Sequence, residues 1–412
     1  MSARPARQPR RRERAPARER AGGETTLGWW ASPFAVFLAT RAFLLLASYL
    51  GLRWDPQLAP DPTVLPLHDG AEPYRAFPAA LVLDGWIRWD AGWYHAIVHH
   101  GYAFTPGQQS SVAFFPLYPL LSALLGWPLR ALLPPHQAFY LAALVLSHGA
   151  FLVALLGFGR LARELLEPRD AARARWLLCL FPYAFFFSAA YTESLYLALV
   201  VWSLIAARQS RWALACGLAA LASATRSTGV QLTPLLVLEN LRQQGWRPQR
   251  LDRSAWWLLL APAGLCAFSA FQWLRFGDPL AFVHVQAAWN RSFALPNVTL
   301  IARVVGSAAF DPLSRLDFGL QLVLIFALPP LVVLVWRRCG WLLGAWSALT
   351  LLPALTAGSA AALGRFTAVV FPLFLALAPA LRRRWLMGLV ALIALLLQLA
   401  LTYGFSHWRS PV

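Results

Sequence analysis

The chain has 412 residues, 58% of them hydrophobic and only 13% charged, a balance that excludes an ordinary soluble domain and leaves many runs able to cross a bilayer. Its net charge of +18 at pH 7 would suggest nucleic acid in a soluble protein. Here every basic side chain other than histidine is arginine, and the arginines sit in an N-terminal tail and in short clusters between apolar runs. That is the pattern of cytoplasmic loops facing anionic membrane lipid, with no nucleic-acid partner.

Residues 1–28 hold eight arginines among Pro, Ala and Gly with almost nothing to bury, and are expected to form a disordered cytoplasmic tail. No signal peptide is expected, because the apolar run that follows is full length and lacks a convincing cleavage pattern. Residues 29–412 are expected to be one all-α transmembrane domain. Its apolar runs fall at about 30–51, 138–159, 176–190, 191–207, 212–225, 229–241, 255–274, 318–336, 341–357, 366–380 and 385–405. A further run, 114–133, contains the prolines of "FFPLYPLL" and suits an interfacial or re-entrant segment better than a span. Counting it as a crossing would reverse every later loop and expose the arginine cluster at 160–175. The expectation is therefore about eleven crossings, with the amino terminus in the cytoplasm and the carboxyl terminus outside. The short stretch "TRSTG", 225–229, reads as a bend between two short segments.

This topology places two hydrophilic loops, 52–113 and 275–317, on the outer side. Three isolated charges that interrupt apolar runs emerge on that side too: Glu193 in "AAYTESLY", Arg226 in "ATRSTG" and Arg365 in "LGRFTA". A charge near the bilayer core costs roughly 2.5–3.5 kcal/mol on insertion scales, so such residues need a reason to be there. Arg41, mid-run in "FLATRAFLLL", needs a partner as well. A structural ion pair to an acid such as Glu193 and contact with a lipid-linked phosphate both satisfy it.

The densest polar chemistry is "RWDAGWYHAIVHHGY", 88–102, in the first outer loop. An acid beside aromatics, with arginines near the membrane surface, suits a reaction on a lipid-linked phosphate. Arginine forks bind phosphate oxygens and stay charged when partly desolvated. Asp90 is the candidate general base, with Trp89, Trp93 and Tyr94 placed to bury it or to stack on a sugar, and Arg226 or Arg365 to hold the departing phosphate. The bland alternative for Asp90 is a helix N-cap. His95 and His99 are one helical turn apart and His100 follows, yet no third ligand accompanies them at metal spacing, so His99 and His100 are carried as substrate-contact candidates. Asp278 in "FGDPLAF" reads as a turn residue or a substrate contact. The four cysteines lack metal-type spacing and read as packing residues. Sequons stand at Asn290 and Asn297. Phosphate-binding glycine loops are absent, which argues against ATP-driven transport and a soluble nucleotide-sugar donor.

Taken in order, "RWDAGWYHAIVHHGY", "VAFFPLYPLL", "FPYAFFFSAAYTESLY", "ATRSTG", "FGDPLAFVHVQAAW" and "GRFTAVVFPLF" resemble the motifs of the glycosylphosphatidylinositol mannosyltransferase 2 family, in its bacterial PIG-V-like branch. The resemblance runs from about residue 41 to 380. It implies a GT-C type membrane glycosyltransferase, with interfacial helices in the first outer loop, that works outside the cytoplasm without a cofactor. The implied donor is a polyprenyl-phosphate-linked mannose, and the acceptor is a lipid or glycan. Asp90 occupies the place of that family's catalytic base, and Glu193, Arg226 and Arg365 match further motif positions. The arginine-only, alanine-rich composition hints at a high-GC bacterium and its plasma membrane. The alternatives are a transferase of another polyprenyl-phosphate sugar and a non-enzymatic lipid or solute transporter. The transporter should show an internal repeat and charges spread through the membrane depth. No convincing repeat is present, and apart from Arg41 the charges gather at one face.

Overall fold

The computed structural model describes residues 32–55, 76–77, 80–247, 253–289, 291, 293–295, 301, 305–307, 311–358 and 362–409. The arginine-rich tail and the sequons at Asn290 and Asn297 lie outside them. In chain order the α-helices are α1 (Pro33–Trp54), α2 (Leu81–Asp84), α3 (Ala91–His100), α4 (Leu117–Gly126), α5 (Pro135–Leu165), α6 (Pro168–Leu180), α7 (Glu193–Arg208) and α8 (Trp212–Thr225). They continue as α9 (Leu232–Gln243), α10 (Ala263–Phe276), α11 (Ala281–His284), α12 (Pro312–Cys339), α13 (Trp341–Leu355), α14 (Leu363–Ala368), α15 (Pro372–Leu377) and α16 (Arg384–Ser406).

Helices α1, α5, α12 and α16 have 22, 31, 28 and 23 residues and are apolar enough to cross a membrane. At 1.5 Å per residue even the shortest reaches about 33 Å, against a hydrocarbon core of roughly 30 Å. The 3₁₀ segment Arg253–Leu260 and α10 together are apolar and long enough for a broken span or a re-entrant loop, bent by 41° with Pro262 at the break. The chain is an integral membrane protein. Among the described residues it is helical apart from short connections and an isolated bridge between Ala294 and Ala357.

Two expected runs are built differently from a plain span. Within 114–133 the only α-helix is α4, ten residues long, followed by a 3₁₀ turn at Pro128–Ala131. It is too short to cross, and it lies against α5 through a bond from the Tyr118 hydroxyl to Ala143 O at 3.0 Å. Run 176–190 was expected as one segment, but α6 ends at Leu180 and a 3₁₀ turn occupies Ala184–Phe187. The cause is Pro182, which disfavours helical geometry in the residue before it, and Phe181 is extended with ψ 134°.

Helix α7 is buried on nearly every side, as a helix apolar all round must be when it occupies the centre of a bundle. Its neighbour α5 runs alongside, with the Trp202 indole donating to Val153 O at 3.0 Å. The alanine-rich α8 returns antiparallel, held by Ser203 Oγ donating to Ala215 O at 2.8 Å. Small side chains let the two backbones approach closely, which is the usual currency of helix packing in lipid. The first residue of α7 and the residue just after α8 therefore meet at the same end. There "TRSTG" does bend: α8 stops at Thr225, Arg226 is extended, and a 3₁₀ turn covers Ser227–Gln231. Gly229 folds so tightly onto α8 that a Cβ there would stand 2.3 Å from the Ala222 carbonyl.

The two long loops close over this end. In the first, Arg88 bonds Asp84 Oδ2 at 2.6 Å and Ser406 O at 3.1 Å, pinning the segment before α3 to the end of α16. In the second, Gln272 of α10 donates to Val112 O at 3.1 Å and accepts from Phe282 N at 3.0 Å. Val112, Ala281 and Val285 pack together across the two loops. Ala294 is tied by backbone bonds to Thr356 O and from Gly358 N, at 3.0 and 2.7 Å, next to the chain that leads into α14.

Candidate functional site

Asp90 precedes α3, where the sequence suggests a cap. Its backbone is already helical, with φ −57° and ψ −20°, and its side chain makes no capping bond. The carboxylate turns to Arg365 instead, accepting at Oδ2 from Nη1 at 2.6 Å. Its backbone N–H donates to the Tyr191 hydroxyl at 3.1 Å, and that hydroxyl donates to Arg88 O at 3.2 Å. Between those two anchors Trp89 is held in the left-handed region, φ +55°.

Glu193 is the first residue of α7, where the helix dipole favours an acid. Its Oε1 accepts from Arg226 Nη1 at 2.6 Å and from Arg365 Nε at 2.5 Å. Its Oε2 has no hydrogen-bond partner among the described residues. The Arg226 guanidinium lies 4.8 Å from the Phe366 ring and 5.8 Å from that of Tyr196, while Arg365 lies 4.8 Å from Tyr191 and 5.6 Å from Phe186. Arg365 thus bridges both acids, and aromatic faces hold both arginines. Breaking such a buried pair on one side costs roughly 3–5 kcal/mol, because the partner charge is left uncompensated.

Burial is graded across the cluster. The Glu193 side chain is 0% exposed, Arg226 9% and Arg365 11%, but Asp90 is 23% exposed. The accessible carboxylate is the one at the rim. Helix α14 is fixed there by Gly364, whose virtual Cβ would lie 2.2 Å from the Tyr183 ring. The Tyr183 hydroxyl donates to Asp317 at 2.7 Å, and Gln321 also donates to that acid at 2.6 Å.

Four residues singled out by sequence, Asp90, Glu193, Arg226 and Arg365, come together. Tyr94 lies one turn into α3, its ring edge-on to Phe114 and Tyr118. Burial, and then the charge of Asp90, push its phenol above the ordinary range. Trp93 stacks on Phe114 and meets Trp289 of the second loop at 5.9 Å, making an aromatic wall beside the acid. Other candidates are occupied elsewhere. Trp89 packs on Trp408 and donates to Phe405 O at 3.3 Å. Among the described residues Arg41 bonds no acid: it donates to Ala184 O, Ser188 Oγ and Cys179 O, clamping the break after α6. Those free carbonyls exist because the helix ends there, so Arg41 has a structural task. His99 and His100 are exposed at the far end of α3. Asp278 serves its own turn, accepting from Leu280 N at 2.9 Å and pairing with His284 at 2.7 Å. Among the described residues no group of three or more His, Cys, Asp or Glu could hold a metal ion.

Sequence reasoning missed Tyr191, the buried Asp84–Arg88 pair and Arg291. Tyr191 stands two residues before Glu193 inside a quoted motif, a signal available but unused. Arg291 reads as an ordinary loop arginine. In the structure it is half-buried within the field of Asp90, Arg365 and Arg226.

Fold and site together define a polytopic membrane protein that keeps a buried, charge-compensated acid–arginine cluster opening at one carboxylate. Within it, residues 66–243 match the family model described as mannosyltransferase (PIG-V), a stretch containing Asp90, Glu193 and Arg226 but not Arg291 or Arg365. The chain is 31% identical over 182 residues to GPI alpha-1,6-mannosyltransferase 2 of Rattus norvegicus, and 30% identical over 181 residues to that of Mus musculus. Those alignments cover 40% and 42% of this chain and 36% and 33% of the relatives, so the chain spans about a third of the length of either. Among solved structures it is similar to ArnT from Cupriavidus metallidurans bound to undecaprenyl phosphate, with TM-score 0.49 and 15% identity, over 86% of this chain and 62% of that one. It is also similar to the oligosaccharyltransferase AglB from Archaeoglobus fulgidus in complex with an inhibitory peptide and a dolichol-phosphate. There the TM-score is 0.43 and the identity 15%, over 93% of this chain and 56% of the other.

Proposed function

We propose that this chain is a membrane glycosyltransferase that moves mannose from a polyprenyl-phosphate-linked donor to a lipid or glycan acceptor on the extracytoplasmic side, with inversion and with Asp90 as general base. The sugar follows the family model matched by residues 66–243, and the lipid-linked donor follows what the resemblance of the ordered motifs implies. The observation that carries the catalytic part is the rim position of Asp90: its Oδ2 is committed to Arg365, and its partly exposed side chain leaves Oδ1 to meet an acceptor hydroxyl.

In the reaction Oδ1 takes the proton of that hydroxyl as the acceptor oxygen attacks the anomeric carbon. The bond from that carbon to the phosphate oxygen breaks, and its electron pair leaves with the lipid phosphate. Attack opposite the leaving group turns a β-linked donor into an α-mannoside. Arg365 and Arg226 orient the acids: Arg365 fixes Asp90, and Glu193 holds both arginines in place. The aromatic wall of Trp93, Phe114 and Trp289 offers faces on which a sugar ring can stack. Binding donor and acceptor together supplies much of the acceleration, since the entropy of bringing them into line is met on binding.

The test is mannose transfer from a lipid-linked donor by purified protein in proteoliposomes. A positioned general base contributes about 10²- to 10⁴-fold, so Asp90→Asn should lose activity in that range. Transfer at the wild-type rate by Asp90→Asn would sink the assignment.

A further inference from the structure

Among the described residues of the site, two carboxylates face three guanidinium groups. Asp90 and Glu193 bring two carboxylates, and Arg226 and Arg365 answer them with hydrogen bonds of 2.5–2.6 Å. Arg291, from the second long loop, is a third cation in the same field. Among the described residues its hydrogen bonds go to a neutral amide: its backbone N–H donates to Gln286 O at 3.2 Å, and Nη1 donates to Gln286 Oε1 at 2.8 Å. The Gln286 amide is itself oriented by donating to Phe282 O at 3.0 Å, so the guanidinium is held by a fixed acceptor. Two residues earlier, Trp289 rests against Trp93 and Phe114, which brings the end of this 3₁₀ turn over the start of α3. Burial first, and then the like charge of Arg365, lower the Arg291 pKa below the ordinary guanidinium range, while Asp90 acts the other way. A bound anion would relieve that strain.

We infer that Arg291 grips the phosphate of the lipid-linked donor and keeps hold of the lipid phosphate released, while Arg226 and Arg365 stay on their carboxylates. This rests on the glycosyltransferase reading above and assigns its anion subsite to the second loop. The donor is a phosphate diester with one negative charge, and the product is a monoester with up to two. The arginine fork therefore holds product more tightly than donor.

The experiment uses the full chain in nanodiscs of zwitterionic lipid and measures direct binding of undecaprenyl phosphate to wild type, Arg291→Gln and Arg291→Lys. Loss of a charge-assisted hydrogen bond predicts about a ten- to hundredfold weaker affinity for Arg291→Gln. Arg291→Lys, with charge but no fork, should fall between. Product inhibition of transfer should weaken in the same order, with the acceptor KM unchanged. If wild type binds undecaprenyl phosphate and both variants bind it equally well, the assignment of Arg291 is overturned and the donor reading stands. If wild type does not bind it, the donor reading fails and takes this inference with it.

Discussion

Replacing Tyr191 by phenylalanine removes one oxygen atom and should disable the site without unfolding the protein. That hydroxyl accepts from Asp90 N and donates to Arg88 O, at 3.1 and 3.2 Å, so it spans the left-handed Trp89 from both sides. Each bond is worth about 0.5–1.5 kcal/mol net, and a non-glycine residue in left-handed geometry stores roughly 1–2 kcal/mol that favours relaxation once the clamp is gone. Shifting the turn by about 2 kcal/mol lowers the ratio of turns with Asp90 in place to relaxed turns roughly thirtyfold, so kcat falls with whatever part of that ratio the wild-type turn does not hold in reserve. The phenylalanine ring still lies under Arg365, so the arginine–acid network and the donor KM should stay within about twofold. The assay is transfer in proteoliposomes, with kcat and donor KM measured separately alongside a thermal scan. An unchanged kcat in a normally folded Tyr191→Phe protein would refute the clamp, and a loss confined to KM would assign Tyr191 to binding.

Two further outcomes follow from local geometry. Gly364→Ala sets a methyl group 2.2 Å from a Tyr183 ring that Asp317 tethers, an overpacking cost of about 1–3 kcal/mol that should lower the Tm and displace Arg365; a Tm and transfer rate equal to wild type would show that α14 has room. At the second-loop turn, the His284 bond holds the Asp278 carboxyl below its ordinary 3.8. A depressed acid stabilises above its unfolded pKa, so this turn should keep its contacts at neutral pH and lose them only as pH falls through the lowered value. NMR titration of the carboxyl should show it returning toward 3.8 in His284→Ala, and no difference between the two proteins would contradict the pairing.

What sequence reveals here divides along physical lines. Long apolar runs are legible because the bilayer sets a length, and α1, α5, α12 and α16 follow the rule. The break at Pro182 was readable from proline chemistry, but the apolar run around it drowned the signal. Glu193, Arg226 and Arg365 stood out because charge inside an apolar run is costly, and that cost draws them to one another. For Arg41 the same logic suggests an acid partner, whereas among the described residues backbone carbonyls at a helix end meet the charge. Arg291 and Tyr191 stayed hidden for the opposite reason. An arginine in a polar loop and a tyrosine among aromatics cost nothing that a sequence displays, and their importance lies in where the chain returns.

The order in which the cluster's partners leave the ribosome has its own consequence. Arg226 follows Glu193 by 33 residues on an antiparallel hairpin, whereas Arg365 arrives 275 residues after Asp90. Helices α7 and α8 can therefore enter the membrane as a self-neutralised pair, with the acid never alone in lipid. Asp90 waits at the rim until the last third of the protein is made. A chain that stopped short of Arg365 would therefore keep Glu193 paired with Arg226 yet lack the arginine that holds Asp90, the proposed base.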